Sequence, residues 1–233
     1  MRFEIKNRWT GAVQFDAEIE CGEDASYSVR LGLAVKCAVK ARANLAGADL
    51  ARANLAGAYL ARADLARAYL ARADLAGADL AGADLAGAYL ARAYLARANL
   101  AGANLARANL AGAYLAGADL AGADLARANL ARADLAGADL AGAYLARANL
   151  NGLTGLNDWI KCIQVEDWPI TYTSDVMQIG CQRHTFDAWR NFSDAEIRAM
   201  DGRKAVAFWG KWKSVIFQII EMAPAQTTKD FAQ

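Results

Sequence analysis

The leucines of this chain recur every five residues from Leu45 to Leu150, which makes 22 positions without an exception. An Ala precedes each leucine by two residues, and another Ala follows each one until Asn151 breaks the pattern. The unit is therefore Ala, then Asp, Asn or Tyr, then Leu, then Ala, and then Arg or Gly. Only these seven residue types occur between residues 41 and 150.

A period of five fits neither a regular helix nor a continuous strand. On an α-helix, a step of five residues rotates a side chain by about 500°, or about 140° beyond one full turn, so successive leucines share no face. On a strand, an odd step alternates between the two faces. The pattern is consistent if the chain turns a similar corner every five residues. Four such corners close a coil of about 20 residues in which every leucine points inward.

Coils of this kind are expected to stack as a parallel ladder at about 4.8 Å spacing, which gives roughly 5.5 coils and a length of roughly 26 Å. Burial contributes about 2 kcal/mol for each leucine, and backbone ordering opposes it by about 1–2 kcal/mol per residue. The net stabilisation comes from the continuous stacking of the coils, as in repeat proteins generally. The two open ends need caps because they expose unpaired strand edges.

A run such as Ala73-Asp74-Leu75-Ala76-Gly77 resembles the pentapeptide-repeat family, whose pattern centres on Ala, then Asp or Asn, then Leu. The resemblance covers residues 43–152 and implies an all-β fold, a right-handed quadrilateral parallel β-helix (a pentapeptide-repeat solenoid) with small α+β terminal segments. The position after Leu is often Ser or Thr in the family and is uniformly Ala here. Such regularity is typical of a recently expanded natural repeat or of a consensus-designed block.

Three segments are predicted: an N-terminal cap over 1–40, the β-solenoid over 41–152, and a C-terminal α+β unit over 153–233. In the cap, the sequence predicts a hairpin of Arg2–Asn7 with Ala12–Ile19. A short helix capped by Ser26 or Ser28 follows through Val39, with a direct strand continuation into the first coil as the alternative.

The C-terminal segment predicts strands over Trp159–Val165 and Ile170–Ile179, then a capping box that begins at Ser193. A long amphipathic helix is expected from about Arg203 to Met222, ended by Pro224. One face of this helix carries Val206, Trp209, Ile216 and Ile220. The flanks, through the stretch from Gln178 to His184, resemble those around pentapeptide blocks in phage-encoded and bacterial proteins.

The overall charge excludes two simple functions. The chain carries 26 Lys and Arg against 25 Asp and Glu, a net charge of +1. A general nucleic-acid binder is more often strongly basic, and a whole-molecule DNA mimic is strongly acidic. No targeting segment or apolar run long enough to span a bilayer is evident. The cysteines Cys21, Cys37, Cys162 and Cys181 resemble no disulfide framework, so we expect a reduced cytoplasmic protein.

Candidate chemistry is sparse, and we expect no catalytic residue, cofactor or metal. Cys181-x-x-His184 is half of a possible zinc site, which Cys162 is able to join, but a structural site needs four ligands. A buried Cys beside an ordinary His is the favoured interpretation, over both zinc and a Cys–His nucleophile. The repeat carboxylates lack the cleft that acid–base catalysis needs, and the glycines form no P-loop.

Residues 20 apart should stack on successive coils. Two neighbouring faces then carry arginines, at Arg52, Arg72, Arg92, Arg132 and at Arg67, Arg107, Arg127, Arg147. The other two faces carry mostly Gly at the corner, with Arg62 and Arg97, and hold Asp74, Asp134, Asp79, Asp119 and Asp139. Random placement is favoured over a docking face for an acidic partner. Tyr69 should stack with Tyr89 and Tyr94 with Tyr114, as interface anchors or as cross-strand fillers.

The sequence therefore predicts a non-enzymatic structural scaffold or protein-interaction rod with an unknown protein partner and no direct nucleic-acid or membrane binding. The alternative is a DNA-mimicking inhibitor of a type II topoisomerase such as gyrase, as some members of the resembled family are known to be. The repeat block has 11 Arg against 9 Asp, which argues against mimicry unless the Asp79–Asp139 face acts locally. Thiol or zinc activity in the C-terminal segment is a remote alternative. A homodimer through the C-terminal helix is a further hypothesis.

Overall fold

The N-terminal segment folds as a hairpin followed by a helix. The computed structural model describes residues 1–155, 157–166 and 168–226. Strand β1 (Arg2–Lys6) pairs antiparallel with β2 (Val13–Glu18), and helix α1 (Tyr27–Lys40) follows. Ser26 caps α1, because its hydroxyl accepts a hydrogen bond from the backbone N–H of Val29. The predicted hairpin and helix are present.

The repeat block returns to the same position every 20 residues. Single-residue parallel bridges join neighbouring coils, from Asp49 with Tyr69 through Asp134 with Thr154. The Leu75 backbone N–H, for example, donates to the Tyr94 carbonyl at 2.7 Å. These bridges are isolated contacts and do not extend into the continuous strands that a parallel ladder suggests. Each pentapeptide spends two residues in a turn, which leaves too few extended residues for a strand.

The interior of the repeat block consists of leucine and alanine. Each of the repeat leucines from Leu45 to Leu150 is at most 1% exposed, so the prediction that they all point inward is confirmed. Most of the alanines two residues before them are buried as well. Each 20-residue coil supplies four leucines and four such alanines, and alanine is small enough to fit between the leucines in a narrow interior.

The hairpin and α1 close the first coil. Leu31 and Val35 of α1 join the leucine core. Gly32 permits this approach, since a Cβ there would lie 1.9 Å from the Asn54 carbonyl oxygen. The Asp49 N–H donates to the Lys6 carbonyl, so the hairpin also pairs with exposed backbone of the first coil. The edge predicted to need a cap is therefore paired and covered.

Within its described residues, the C-terminal unit contains one antiparallel sheet and two helices. The four strands of the sheet are hydrogen-bonded in the order in which they occur along the chain, so the first and the last strands are its edges. The stretch predicted as one strand from residue 170 to 179 is in fact two strands joined by a turn at Thr173–Asp175, where Ser and Asp favour chain reversal. The bounds are β3 (Lys161–Val165), β4 (Trp168–Tyr172), β5 (Val176–Ile179), β6 (Gln182–Thr185), α2 (Phe186–Asn191) and α3 (Asp194–Met222).

Helix α3 begins with the predicted capping box and is interrupted once. The Ser193 hydroxyl accepts from the Glu196 N–H, while the Glu196 carboxylate accepts from the Ser193 N–H at 2.8 Å. That carboxylate bonding lowers the pKa of Glu196 below its ordinary value. Non-helical angles at Asp201 and Gly202, where φ is +70°, break the helix near the predicted start at residue 203.

The apolar face of α3 packs inside the chain. Trp209, Ile216 and Ile220 are at most 7% exposed and belong to a second core with residues of β4, β5 and α2. A homodimer through α3 remains a prediction, and it would have to use other residues of the helix. Within the described residues, no helix has both the length and the apolarity to cross a bilayer.

Candidate interaction surface

At each corner of the repeat block, the Arg or Gly that ends the pentapeptide unit lies in the left-handed backbone region. At Arg92, φ is 56°, and the turn is closed by a 3.0 Å hydrogen bond from the Ala93 N–H to the Leu90 carbonyl. A turn with positive φ at its third residue favours Gly, and another residue there costs about 1–2 kcal/mol. All 11 repeat arginines, from Arg42 to Arg147, adopt this conformation with φ between 55° and 60°.

Most of these arginines form two columns of residues on successive coils. All are exposed, and within the described part of the chain none forms an ion pair with a carboxylate. Stacking is evident where a corner Gly lies above an Arg, since a Cβ at Gly112 would lie 3.5 Å from Arg92 Cγ. The first Arg column is Arg67, Arg107, Arg127 and Arg147, and the second Arg column is Arg52, Arg72, Arg92 and Arg132.

The variable position of the repeat has a structural role that the sequence pattern did not reveal. The side-chain oxygen of each repeat Asp or Asn accepts a hydrogen bond from the backbone N–H two residues later, as at Asp79, where the bond to the Ala81 N–H is 3.1 Å. Such Asx turns explain why Asp and Asn interchange freely here. The same bond occurs throughout the block, from Asn44 to Asn149.

Three of the predicted acidic residues, Asp79, Asp119 and Asp139, fall in one column, which is broken by an asparagine. Asp119 and Asp139 bridge directly, whereas Asn99 lies between Asp79 and Asp119 and donates a 3.1 Å hydrogen bond to the Asp79 carboxylate. The other predicted aspartates, Asp74 and Asp134, belong to the column of Tyr94 and Tyr114. One acidic set was missed: Asp64, Asp84 and Asp124 lie on the face of the first Arg column, which reduces that face to a net charge of about +1.

The tyrosines pair as their spacing suggests. The ring centroids of Tyr94 and Tyr114 are 5.1 Å apart and nearly parallel, and both rings are about half exposed. The Tyr69 and Tyr89 rings are 6.0 Å apart and tilted by 48°. This second pair also contacts the N-terminal hairpin, through Arg8 and Trp9, a contact that no sequence signal indicated.

An open cleft of about 1120 Å³ lies where the first Arg column meets the C-terminal sheet. Its lining includes Arg127, Arg147, Tyr144, Gln182 and Cys181, and no carboxylate is among the lining residues. The charged side chains that line the cleft are therefore all positive. An anionic group entering it would meet two guanidinium groups on neighbouring coils, a geometry suited to carboxylates or phosphates.

Cys181 is exposed, so the expectation of a buried cysteine beside His184 was wrong, and both side chains contact Gln182. The His184 ring packs edge-on against Trp189 and Phe192, at 5.3 and 4.8 Å between centroids, and burial lowers its pKa. Cys162 lies on β3, at the opposite edge of the sheet from β6. No group of three His, Cys, Asp or Glu side chains in the described ranges is placed to hold a metal ion.

Side chains of the C-terminal sheet close the last coil. Gln178 Oε1 accepts from the Leu150 N–H at 3.1 Å, and Thr171 Oγ1 donates to the Leu150 carbonyl at 3.1 Å. Arg183 donates to the carbonyls of Leu145 and Ala148, both at 2.8 Å. These bonds satisfy backbone groups that have no further coil to pair with. Gln178 is the one residue whose type points to this role, and it does so only once the structure shows that it is buried.

Comparison with known proteins identifies the repeat block. A family model described as pentapeptide repeats matches in eight copies, over residues 41–77, 73–112, 93–131 and 113–152. The chain is similar to the solved pentapeptide repeat protein Rfr23 of the cyanobacterium Cyanothece 51142, at 38% identity over 40% of this chain and 60% of that chain, with a TM-score of 0.33. A search of curated proteins gives no match.

Two further solved structures are similar. A pentapeptide repeat protein from the Arabidopsis thaliana thylakoid lumen is 31% identical over 44% of this chain and 68% of that chain, with a TM-score of 0.34. QnrB1, a plasmid-mediated fluoroquinolone resistance protein, is 20% identical over 48% of this chain and 68% of that chain, with a TM-score of 0.23. The chain thus spans 60% to 68% of the length of these three proteins. With eight copies of the repeat matched across residues 41–152, the chain belongs to the pentapeptide-repeat family.

Proposed function

We propose that this chain is a non-enzymatic protein-interaction scaffold. In this proposal the repeat block is the right-handed quadrilateral β-helix of its family, and the two Arg columns dock an acidic segment of a partner protein. The observation that carries it is the set of exposed arginines at left-handed corners, which have no ion pair in the described structure. Pentapeptide-repeat proteins are generally non-enzymatic, which fits the proposal.

The cost of these arginines supports a role outside folding. Glycine occupies the remaining repeat corners in the same conformation and without steric cost, for example at Gly77 and Gly102. An Arg at a corner is disfavoured by about 1–2 kcal/mol. Stacked like charges add to that cost. Strain that persists at a few positions is more often associated with function than with stability.

The spacing of the first Arg column suits an extended acidic segment. Arg107, Arg127 and Arg147 occupy three successive coils, so their backbones are separated by about 4.8 Å per coil. A carboxylate accepts two parallel hydrogen bonds from a guanidinium, which favours Glu or Asp side chains over diffuse negative charge. Binding of this kind accelerates association and weakens as salt is added.

The test uses a matched pair of triple variants and a fluorescent poly-glutamate peptide as the probe. One variant replaces Arg107, Arg127 and Arg147 by Gly, and the control replaces Arg42, Arg62 and Arg97 by Gly. Both remove three charges and three strained corners, but only the first interrupts a column. We expect the wild type to bind at 50 mM salt and the column variant to bind at least tenfold more weakly, while the control stays within about threefold.

Two results would refute the docking proposal. Equal weakening of both variants would show that only the net charge matters. No binding by the wild type at low salt would show that the columns do not recognise carboxylates.

A second candidate is inhibition of a type II topoisomerase through local DNA mimicry. The observation in its favour is the column of Asp79, Asp119 and Asp139, whose face carries glycine at the last four corners, from Gly82 to Gly142. A gyrase supercoiling assay titrated with the chain tests it, with a DNA-binding control. Replacement of the three aspartates by Asn keeps the Asx turns and removes the charge. Inhibition by the wild type but not by this variant would favour mimicry over acidic-partner docking.

A further inference from the structure

Two columns on adjoining faces of the repeat block carry the same order of side chains. One column reads Asp49, Tyr69, Tyr89 on three successive coils. The other reads Asp74, Tyr94, Tyr114 and continues to Asp134. In both columns each residue bridges the next, so the carboxylate and the two rings occupy equivalent positions on the backbone. We call the second set, from Asp74 to Asp134, the tyrosine strip.

The first column is already occupied by a loop of the chain itself. The Arg8 guanidinium carbon lies 3.4 Å from the centroid of the Tyr69 ring, and its Nη1 donates to Asp49 Oδ2 at 3.1 Å. Trp9 follows at once and packs against Tyr89, with ring centroids 6.2 Å apart and tilted by 58°. An Arg and the aromatic residue after it thus cover an Asp and two tyrosines stacked above it.

The tyrosine strip carries the same groups without such a cover. Tyr94 and Tyr114 are 50% and 47% exposed, against 38% for Tyr89 beneath Trp9. Their rings lie parallel at 8°, whereas the occupied pair is tilted by 48°. Among the described residues, the Tyr94 and Tyr114 rings form an aromatic pair with each other and no cation–π contact, and neither Asp74 nor Asp134 forms an ion pair.

We propose that the tyrosine strip binds an exposed loop of a partner protein that presents an Arg followed by an aromatic residue. The Arg lies over Tyr94 and bonds Asp74, as Arg8 does with Tyr69 and Asp49, and the aromatic residue covers Tyr114. A guanidinium over a tyrosine face gains from the ring quadrupole, and its bond to a carboxylate is charge-assisted. This site stands on different residues from the Arg columns and prefers a cationic partner, so it does not rest on the docking proposal above.

The hairpin of a second copy is not the occupant proposed, because its backbone is held to its own first coil. The Arg8 N–H donates to the Gly47 carbonyl at 2.9 Å, and Asn7 bridges Ala48. The corners that follow the strip residues along the chain are mostly glycine, at Gly77, Gly117 and Gly137, so a partner loop meets little steric obstruction on that side. Arg97 adds one positive charge on that side. The corners that precede the strip residues carry Arg72, Arg92 and Arg132 of the second Arg column, which also borders the occupied column that begins at Asp49.

The chain supplies a probe of the right chemistry in its own residues 6–13, Lys-Asn-Arg-Trp-Thr-Gly-Ala-Val, made as a cyclic peptide. The full-length protein is labelled with ¹³C on its tyrosine rings and titrated with this peptide. We expect saturable shifts of the Tyr94 and Tyr114 ring signals, because a Trp ring placed over them changes their local field. Tyr59 and Tyr144, which lie in other columns, serve as internal controls.

Variants on both sides separate the site from general adhesion. Replacing the peptide Arg by Gln should weaken binding at least fivefold, and so should Asp74→Asn, which keeps the Asx turn. The double variant Tyr94→Ala with Tyr114→Ala should abolish the saturable shifts, whereas Tyr94→Phe with Tyr114→Phe keeps the rings and should bind within twofold of the wild type. Circular dichroism establishes that each variant is folded.

Three results would overturn the proposal. Shifts of equal size at Tyr59 would indicate adhesion to any exposed ring. Shifts at Tyr69 and Tyr89 alone would show that the peptide displaces the hairpin and leaves the strip empty. Binding that is unaffected by Asp74→Asn and by loss of the peptide Arg would show that the cationic contact is absent.

Discussion

The repeat block and the C-terminal unit both bury large apolar side chains, but they do so by different rules. In the repeat block, Leu100 repeats the position of the leucines one coil away, since parallel bridges relate residues 20 apart on successive coils. In the C-terminal unit, Trp189 meets Trp209 at 5.0 Å and Phe192 at 5.5 Å, each at a different ring angle. A periodic core depends on spacing, whereas an aromatic core depends on the shape of each side chain.

The largest expected effect tests whether these two cores are separate units. Leu100 and Ile216 are both fully buried, one in each core. Truncation of either to Ala should lower the free energy of unfolding of its own unit by about 2–5 kcal/mol. All six Trp lie outside the repeat, so tryptophan fluorescence reports mainly on the C-terminal unit and far-UV circular dichroism on the whole chain. Urea denaturation with both probes distinguishes the two variants.

The expected pattern is that Ile216→Ala shifts the fluorescence transition and Leu100→Ala leaves it in place. Ile216→Val is the conservative control and should cost about 0.5–1.5 kcal/mol. Coincident shifts of both probes in both variants would instead show one cooperative unit, joined through the bonds of Gln178 and Arg183 to the last coil.

The difference between the two regions also explains what the sequence could predict. The leucine period gives the inward positions, because a corner every five residues turns each leucine to the same side, and four such corners give the 20-residue return. The period says nothing about φ at Arg92, since only Gly signals a left-handed corner. It also leaves the roles of Asp and Asn open, because an Asx turn is a local bond within each unit and does not depend on the stacking of coils.

Prediction is less complete in the terminal segments. The capping box at Ser193 has a short and specific signature, and it is present. The turn at Ser174 was missed because it interrupts an apolar pattern that continues on both sides. The helix break at Gly202 lies directly before the predicted start of the long helix at about Arg203. The contact of Arg8 with Tyr69 joins residues far apart in sequence and depends on how the hairpin sits on the first coil.

The next largest effect tests how the variable position of the repeat contributes to stability. Asp119 Oδ1 accepts the Ala121 N–H at 2.9 Å, and Asp119 bridges Asp139 on the next coil. Asp119→Ala should destabilise the repeat block by about 0.5–1.5 kcal/mol, because the turn loses a hydrogen bond. Asp119→Asn keeps the bond and removes the repulsion between neighbouring carboxylates, so its free energy of unfolding should equal or exceed that of the wild type.

Urea denaturation of both variants, followed by circular dichroism, measures this difference. An equal loss for Asn and Ala would mean that the charge of Asp119, and not its turn bond, stabilises the block.

A smaller effect should appear as a pH dependence confined to the C-terminal unit. Burial against Trp189 and Phe192 lowers the pKa of His184 below its ordinary value of 6.5. The unfolded chain therefore binds a proton that the native unit resists, so the stabilising contribution is present above pH 6.5 and is lost as pH falls through the native pKa. His184→Phe fills the same space without titrating and should flatten the stability profile between pH 7.5 and about 5.5.

Urea midpoints by tryptophan fluorescence across that range give the two profiles. The window avoids Glu166 and Glu196, whose lowered pKa values place their effects below an ordinary value of 4.5. A wild-type profile as flat as that of His184→Phe would mean that the imidazole is solvated as freely in the folded unit as in the unfolded chain.

The smallest expected effect concerns the corners, where Arg occupies a backbone conformation that favours Gly. Arg97 is the single Arg in a column of glycines and has φ of 58°. Arg97→Gly relieves about 1–2 kcal/mol of backbone strain, while the added freedom of Gly in the unfolded chain offsets about 0.4–1 kcal/mol. The free energy of unfolding of the block should therefore rise by up to about 1 kcal/mol, measured by urea denaturation, whereas Arg97→Val should lower it because a β-branched residue tolerates this conformation poorly.

A gain for Arg97→Gly would show that the five-residue period sets the corner geometry and that Arg is present at the corner for a reason other than stability. A loss would show that the aliphatic part of the Arg side chain, which lies 3.5 Å from the Cβ position of Gly117, stabilises the stack and that the Arg columns need no partner to account for them.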